Sequence, residues 1–167
     1  MDNKNADSAK EPISAASAQA LWDKDKKEFE LWALGLVGAK PKPHDSGVDG
    51  ILGFTERGNK KQTIIVQVRG DKSLRPGMID ELVETIEKEG AAIGLIIALH
   101  KPTLGIITDS VHAGSYKSEL WNKEFLKIQI RTVEELLRGK LFDIPQTYSL
   151  LKKVPKVKKQ GKTEKLL

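Results

Sequence analysis

Residues 91–99 read Ala-Ala-Ile-Gly-Leu-Ile-Ile-Ala-Leu, nine positions without one polar side chain. Such a run is too short for a bilayer, which takes about 20 apolar residues as a helix. A strand with one wet face would alternate apolar and polar residues. This one does not, so both of its faces need cover, as in the centre of a sheet packed between helices. Residues 63–68, Thr-Ile-Ile-Val-Gln-Val, are β-branched and mostly apolar and read as a second central strand. Helical periodicity surrounds these two runs. Phe29, Trp32, Ala33 and Leu36 predict a helix over 25–37, stopped by Gly38. Ile79, Leu82, Val83 and Ile86 predict another, from Arg75 or Pro76 to Gly90. A third is expected over 103–114 with Thr103 as its cap, and a short fourth over 132–138 before Gly139. Residues 48–54 and 125–130 read as strands, 40–43 as extended, and 55–61 as a loose hairpin turn. The order predicts an α/β fold, a mixed sheet flanked by helices.

Composition narrows the function. The chain has no cysteine and three histidines, which excludes disulfide scaffolds, thiolate zinc sites and cysteine nucleophiles. No signal-like apolar segment opens it, so a soluble, cytoplasmic protein without membrane contact is expected. The net charge of +5 is unevenly placed. Seven lysines against one glutamate put +6 on residues 151–167, leaving −1 on the other 150. The expected organisation is a disordered leader over 1–21, a domain over 22–146 and a Lys-rich tail over 147–167. In that tail Lys152, Lys153, Lys156, Lys158 and Lys159 could hold DNA phosphates without sequence preference, or simply be solvated.

Polar residues interrupt the apolar pattern at one place. Asp49 lies in Gly47-Val48-Asp49-Gly50, and Gln67 and Arg69 close the strand Ile64-Ile65-Val66-Gln67-Val68-Arg69. Residues two apart in a strand share a face. If the two strands pair as a hairpin, Asp49 is expected beside Gln67 and Arg69. A carboxylate, a side-chain carbonyl and the backbone carbonyl of Val68 would suit Mg²⁺, with Mn²⁺ able to replace it. Glu30, on a helix face with Ala33, Leu34 and Val37, is a further candidate. Alone, Asp49, Gln67 and Arg69 each read more readily as turn caps or a solvent-reaching side chain, and Glu30 equally as a boundary side chain; their joint spacing is what points to a site. Asp45 could be a second ligand but reads more readily as a turn residue, His44 reads as a loop residue, and Trp22, Trp32 and Trp121 as packing.

Asp45-Ser46-Gly47-Val48-Asp49-Gly50 followed by Ile65-Val66-Gln67-Val68-Arg69-Gly70 resembles the PD-(D/E)xK nuclease motif in its Mrr-type form, Asp, spacer, Gln-x-Lys. The flanks Phe29–Ala33, Ala91–Ile96 with Pro102-Thr103, and Ile128–Leu137 resemble a domain found at the C-terminal end of some bacterial site-specific DNA methyltransferases. The likeness covers roughly residues 22–145. It implies a restriction-endonuclease-like fold acting on DNA phosphodiesters with Mg²⁺. It makes Asp49 the metal ligand, Gln67 the stand-in for the second acid and Glu30 the helix-borne acid. Arg69 stands where the family has lysine. Arginine stays protonated and cannot pass a proton. Three readings therefore stand: an endonuclease slowed by Arg69, a nuclease-fold module that binds DNA or a methyltransferase without catalysis, and a structural interaction domain. Double-strand cleavage by the first would suit a homodimer.

Overall fold

The computed structural model describes residues 11–43 and 47–148. Helix α1 (Ala15–Lys24) and helix α2 (Lys26–Val37) come first, and the short strand β1 (Lys40–Pro41) follows. Strand β2 (Gly50–Glu56) turns through a 3₁₀ segment, Arg57–Asn59, into β3 (Lys60–Arg69). Then come α3 (Met78–Glu89), β4 (Ile93–Ala98), α4 (Leu104–Val111), β5 (Ser115–Ser118), β6 (Lys123–Leu126), β7 (Ile128–Thr132), α5 (Val133–Leu137) and β8 (Thr147–Tyr148).

The main sheet runs β1-β2-β3-β4-β7, and β8 adds to β2. The β2–β3 hairpin is antiparallel, whereas β3–β4 and β4–β7 are parallel. This is the expected mixed sheet. The run of nine apolar residues supplies β4, all six of whose residues are buried. Alternation along β4 divides the core. Ile93, Leu95 and Ile97 join Phe29, Ala33, Leu34, Val66 and Val133 on the side of α1, α2 and α5. Ile96 and Ala98 join Ile65, Ile79, Leu82, Ile86 and Ile106 on the side of α3 and α4. The sheet is thus the middle of three layers.

Four departures from the sequence reading stand out. Helix α1 occupies part of the stretch expected as a disordered leader. Ser14 caps it, and the hydroxyl of Ser17 returns to the Ser14 backbone. Residues 1–10 lie outside the described residues. The expected strand over 125–130 is two strands in two sheets. Lys127 sits at the break, where its carbonyl accepts from Gly94 and its N–H donates to the carbonyl of Gly114. Strand β5 is unforeseen and pairs with β6. The ordered chain also continues past 146 into β8, and the lysines of the tail lie outside the described residues.

Among the described residues no helix is long and apolar enough to cross a membrane.

A candidate nuclease cleft at the end of the central hairpin

The cleft forms where β2 starts and β3 ends. Regular pairing of these strands begins with Gly50 opposite Val66. The N–H of Asp49 also donates to the Val66 carbonyl, at 3.0 Å. Two residues of one strand thus meet one of the other, the arrangement of a β-bulge. A bulge breaks the alternation of faces. Val48 packs on the α3 side. Gly50 faces α2 so closely that a Cβ there would lie 2.7 Å from Leu34 Cδ2. Asp49 turns to the α2 side as well and lines a cleft of about 410 Å³ with Trp22, Lys26, Glu30, Val68 and Arg69.

The Asp49 carboxylate is the centre of this cleft. Its Oδ2 accepts from the Val68 N–H at 2.7 Å and from Arg69 Nη1 at 3.3 Å. The same Nη1 donates to the Val68 carbonyl at 2.9 Å. Arg69 therefore curls round the end of β3 and sets one cationic nitrogen against two oxygens. The Asp49 side chain is 13% exposed and that of Arg69 is 31% exposed, so the pair is solvent-reachable at its cationic end. Glu30 is 15% exposed, with Oε2 3.9 Å from Lys27 Nζ.

Helix α1 forms one wall, which sequence reasoning missed. Trp22 packs edge-on against Phe29, and Lys26 lies 4.6 Å above its ring. A Cβ on Gly70, the residue after Arg69, would stand 2.4 Å from the indole. Only glycine lets Trp22 close on the strand end. The readable signal was Ser14 followed three places on by Ser17, a helix start of the capping type. A larger groove, about 960 Å³, runs along α1 and α2 past Ser17, Leu21, Lys24 and Leu31. It lies away from the strand ends, so the smaller cleft is the candidate site.

The structure brings Asp49, Val68, Arg69 and Glu30 together. It does not bring Gln67 with them. Ile65 packs on the α3 side and Val66 and Val68 on the other, so alternation turns Gln67 away from the cleft. Its Nε2 donates to the Gly47 carbonyl at 2.8 Å, and the residue is 6% exposed. The bulge is the cause: it moves Asp49 off the face that it would share with Gln67 in a regular ladder. Gln67 instead ties down the backbone leading into Asp49. His44 and Asp45 lie outside the described residues.

A family model for restriction endonucleases, the Mrr catalytic domain, matches residues 25–113, more than half of the chain. The chain belongs to the Mrr-type restriction endonuclease family. No curated protein and no solved structure matches it. The matched segment of this Mrr-type domain runs from the cap of α2 to the end of α4 and contains Glu30, Asp49, Gln67 and Arg69. Trp22 and the β5–β6 hairpin fall outside it.

Restriction endonucleases generally use divalent metal ions, and the cleft can be tested for fit. Asp49 Oδ2 and the Val68 carbonyl oxygen already converge on one positive charge. Glu30 adds a second carboxylate to the same cleft. An all-oxygen donor set of this kind suits a hard cation that keeps several waters. Among the described residues no group of three or more His, Cys, Asp or Glu forms a self-sufficient metal cage. The fit is therefore to a water-rich ion such as Mg²⁺, and it requires that Arg69 Nη1 move aside.

Proposed function

We propose that this domain hydrolyses DNA phosphodiester bonds as a restriction-type endonuclease, with Mg²⁺ or Mn²⁺, and slowly. The observation that carries this reading is the convergence of Asp49 Oδ2, the Val68 carbonyl and Arg69 Nη1 in one reachable cleft. Asp49 and Val68 would hold the ion, with Glu30 in the same cleft. When bound, the ion supplies a Lewis acid for the phosphoryl oxygen and an acidified water. The chain's own residues do the remainder. Arg69 meets charge developing on the phosphoryl oxygens. Lys26 and Lys27 flank the cleft and suit backbone phosphates. Gln67 holds the Gly47 backbone and so fixes the approach to Asp49. Because Arg69 stays protonated it cannot take a proton from water. That, and its wide fork at a position where the family has the compact ammonium of lysine, slows the reaction.

A second reading has its own observation. Arg69 already neutralises Asp49, and Gln67 is turned out of the cleft. Both suit a nuclease fold that binds DNA, or serves a methyltransferase partner, without cutting. A cytoplasmic setting, a homodimer for double-strand cleavage and a DNA-holding Lys-rich tail complete the proposal.

Plasmid nicking in Mg²⁺ and in Mn²⁺ separates the two readings. The endonuclease reading expects slow nicking that Asp49→Ala abolishes and Arg69→Lys raises. Nicking by Arg69→Lys that equals the Asp49→Ala control would leave the binding module.

A further inference from the structure

The Asp49 carboxylate lies deep in its cleft, 13% exposed, and still carries a charge that needs a counterpart. Buried carboxylates are offset by neutral hydrogen-bond donors, by a basic side chain or by a metal. Here the counterpart is intramolecular. Arg69 Nη1 contacts both Asp49 Oδ2 and the Val68 carbonyl, the two oxygens that face the same point. A nitrogen that donates to two oxygens at 3.3 and 2.9 Å occupies the space between them, and a divalent ion bound to the same two oxygens would need that space. Two like charges also repel strongly at such separations in a partly dry cleft.

We infer that Arg69 is a built-in cation that competes with the divalent ion for Asp49 and Val68, and that a DNA phosphate relieves the competition by drawing the guanidinium away. Arg69 is the more exposed partner of the pair, so its fork can leave while Asp49 stays held by the Val68 N–H. A phosphate offers a guanidinium two parallel charge-assisted hydrogen bonds, a better match than the 3.3 Å approach of Nη1 to Asp49 Oδ2. Ion and DNA then favour the same arrangement of Arg69. Each strengthens the other's binding by the same factor, as linkage requires. The domain would load metal on DNA and shed it when free, which keeps a slow nuclease idle between substrates. The inference deepens the endonuclease reading by making Arg69 the regulator of its ion, and it stands or falls by ion binding, apart from cleavage.

The test is Mn²⁺ binding to the full chain, read from the electron paramagnetic resonance of free Mn²⁺, with and without a short DNA duplex carrying phosphorothioate linkages that resist cleavage. The duplex alone serves as a blank. Arg69→Ala and Arg69→Gln should each bind Mn²⁺ about tenfold more tightly than the parent chain. That factor is ~1.4 kcal/mol, in line with a hydrogen bond to a charged group. Duplex should tighten Mn²⁺ binding to the parent chain, and the tightening should vanish in both Arg69 variants. Asp49→Ala should bind no Mn²⁺ in any background. Unfolding curves show whether a variant is folded, and the longer stem kept by Arg69→Gln guards against collapse of the alanine variant. Equal Mn²⁺ affinity in the parent chain and a folded Arg69→Gln would overturn the inference, as would tightening by duplex that survives the removal of Arg69. If Mn²⁺ competition appears but no nicking is found under any condition, the endonuclease reading fails while the competition stands.

Discussion

Strand β2 has a carboxylate at each extremity, and the two are held in opposite ways. Glu56, at the turn end, is 7% exposed and is enclosed by neutral donors: Tyr116 Oη at 2.5 Å, the Leu120 N–H at 2.7 Å, Ser118 Oγ at 3.0 Å and the Arg57 N–H at 3.0 Å. Burial alone would raise its pKa, but these four hydrogen bonds favour the ionised form and together carry it down from 4.5 to about 2. The same contact pushes the Tyr116 phenol well above its ordinary value, through burial first and the adjacent carboxylate second. Asp49, just before the strand, is held by the Val68 N–H and by an arginine that can swing away. Glu56 has its donors fixed by the fold and no route for exchange. Asp49 has a partner that can leave and an open cleft through which another cation can enter. A carboxylate among neutral donors is a fastener; one paired with a half-exposed cation beside solvent can exchange its partner.

Alanine at each end should split these roles most sharply. Asp49→Ala should cut Mg²⁺-dependent nicking by about 10³-fold, the loss of several kcal/mol of metal-assisted stabilisation, while the urea midpoint shifts less than in Glu56→Ala, since only the Val68 N–H and the half-exposed Arg69 lose an acceptor. Glu56→Ala should do the reverse. It removes the acceptor of two hydroxyls and two backbone N–H groups, each buried unsatisfied group costing about 1–3 kcal/mol, so a loss of roughly 3 kcal/mol or more in urea unfolding is expected. A Glu56→Ala protein as stable as the parent would remove the fastener from the comparison. Gly70→Ala comes next. Its Cβ would meet the Trp22 indole at 2.4 Å, and overpacking of this kind costs about 1–3 kcal/mol. Trp22 fluorescence should shift as α1 lifts from the cleft.

Acid provides a milder contrast. The pKa of Glu56 is lowered in the folded chain, so its contribution to stability is whole above about pH 4.5 and is lost as the pH falls towards 2. Unfolding curves of the parent chain should weaken through that window, and those of Glu56→Gln should weaken less. The smallest effect concerns the Lys-rich tail. Deleting 152–167 should flatten the salt dependence of DNA affinity by about 0.9 log units for each phosphate that the tail had neutralised. An unchanged slope would mean that the tail does not touch DNA.

The layers and the central strands were legible because their residues have no alternative. An apolar run such as that of β4 can be satisfied only inside a sheet covered on both faces, and α3 shows its stripe plainly. Thr103 caps α4 as its position implied, and Thr132 and Glu135 close a capping box on α5. Helix α1 was hidden because only Ala18 of its ten residues is buried, leaving almost no apolar period to read. Strand β5, Ser-Tyr-Lys-Ser, is polar because it packs through hydrogen bonds to Glu56, a partner some 60 residues away. At the site, the residue types were readable but one facing was not. Strand alternation predicts Asp49 beside Gln67, and a bulge is a property of two strands together. Gly50 hints at it, since only the closeness of Leu34 reveals why that position has no side chain. The substitution of arginine for lysine was visible as letters. That its guanidinium would rest on both Asp49 and the Val68 carbonyl required coordinates.

The fastening of Glu56 has a further consequence for the order in which a newly made chain settles. The strands that present Asp49 and Arg69 are complete once residue 69 has been synthesised, and β4 can join them by residue 98. Tyr116, Ser118 and Leu120 do not yet exist at that stage, and Glu56 remains hydrated at the rim of an unfinished sheet. Its desolvation waits for the β5–β6 hairpin, whose arrival supplies three of the four donors at once. Enclosure of the Glu56 carboxylate therefore requires the β5–β6 hairpin as well as the β2–β3 hairpin. The Val68 and Arg69 partners of Asp49 are already made while the residues that will lock the opposite end of the strand are still being added.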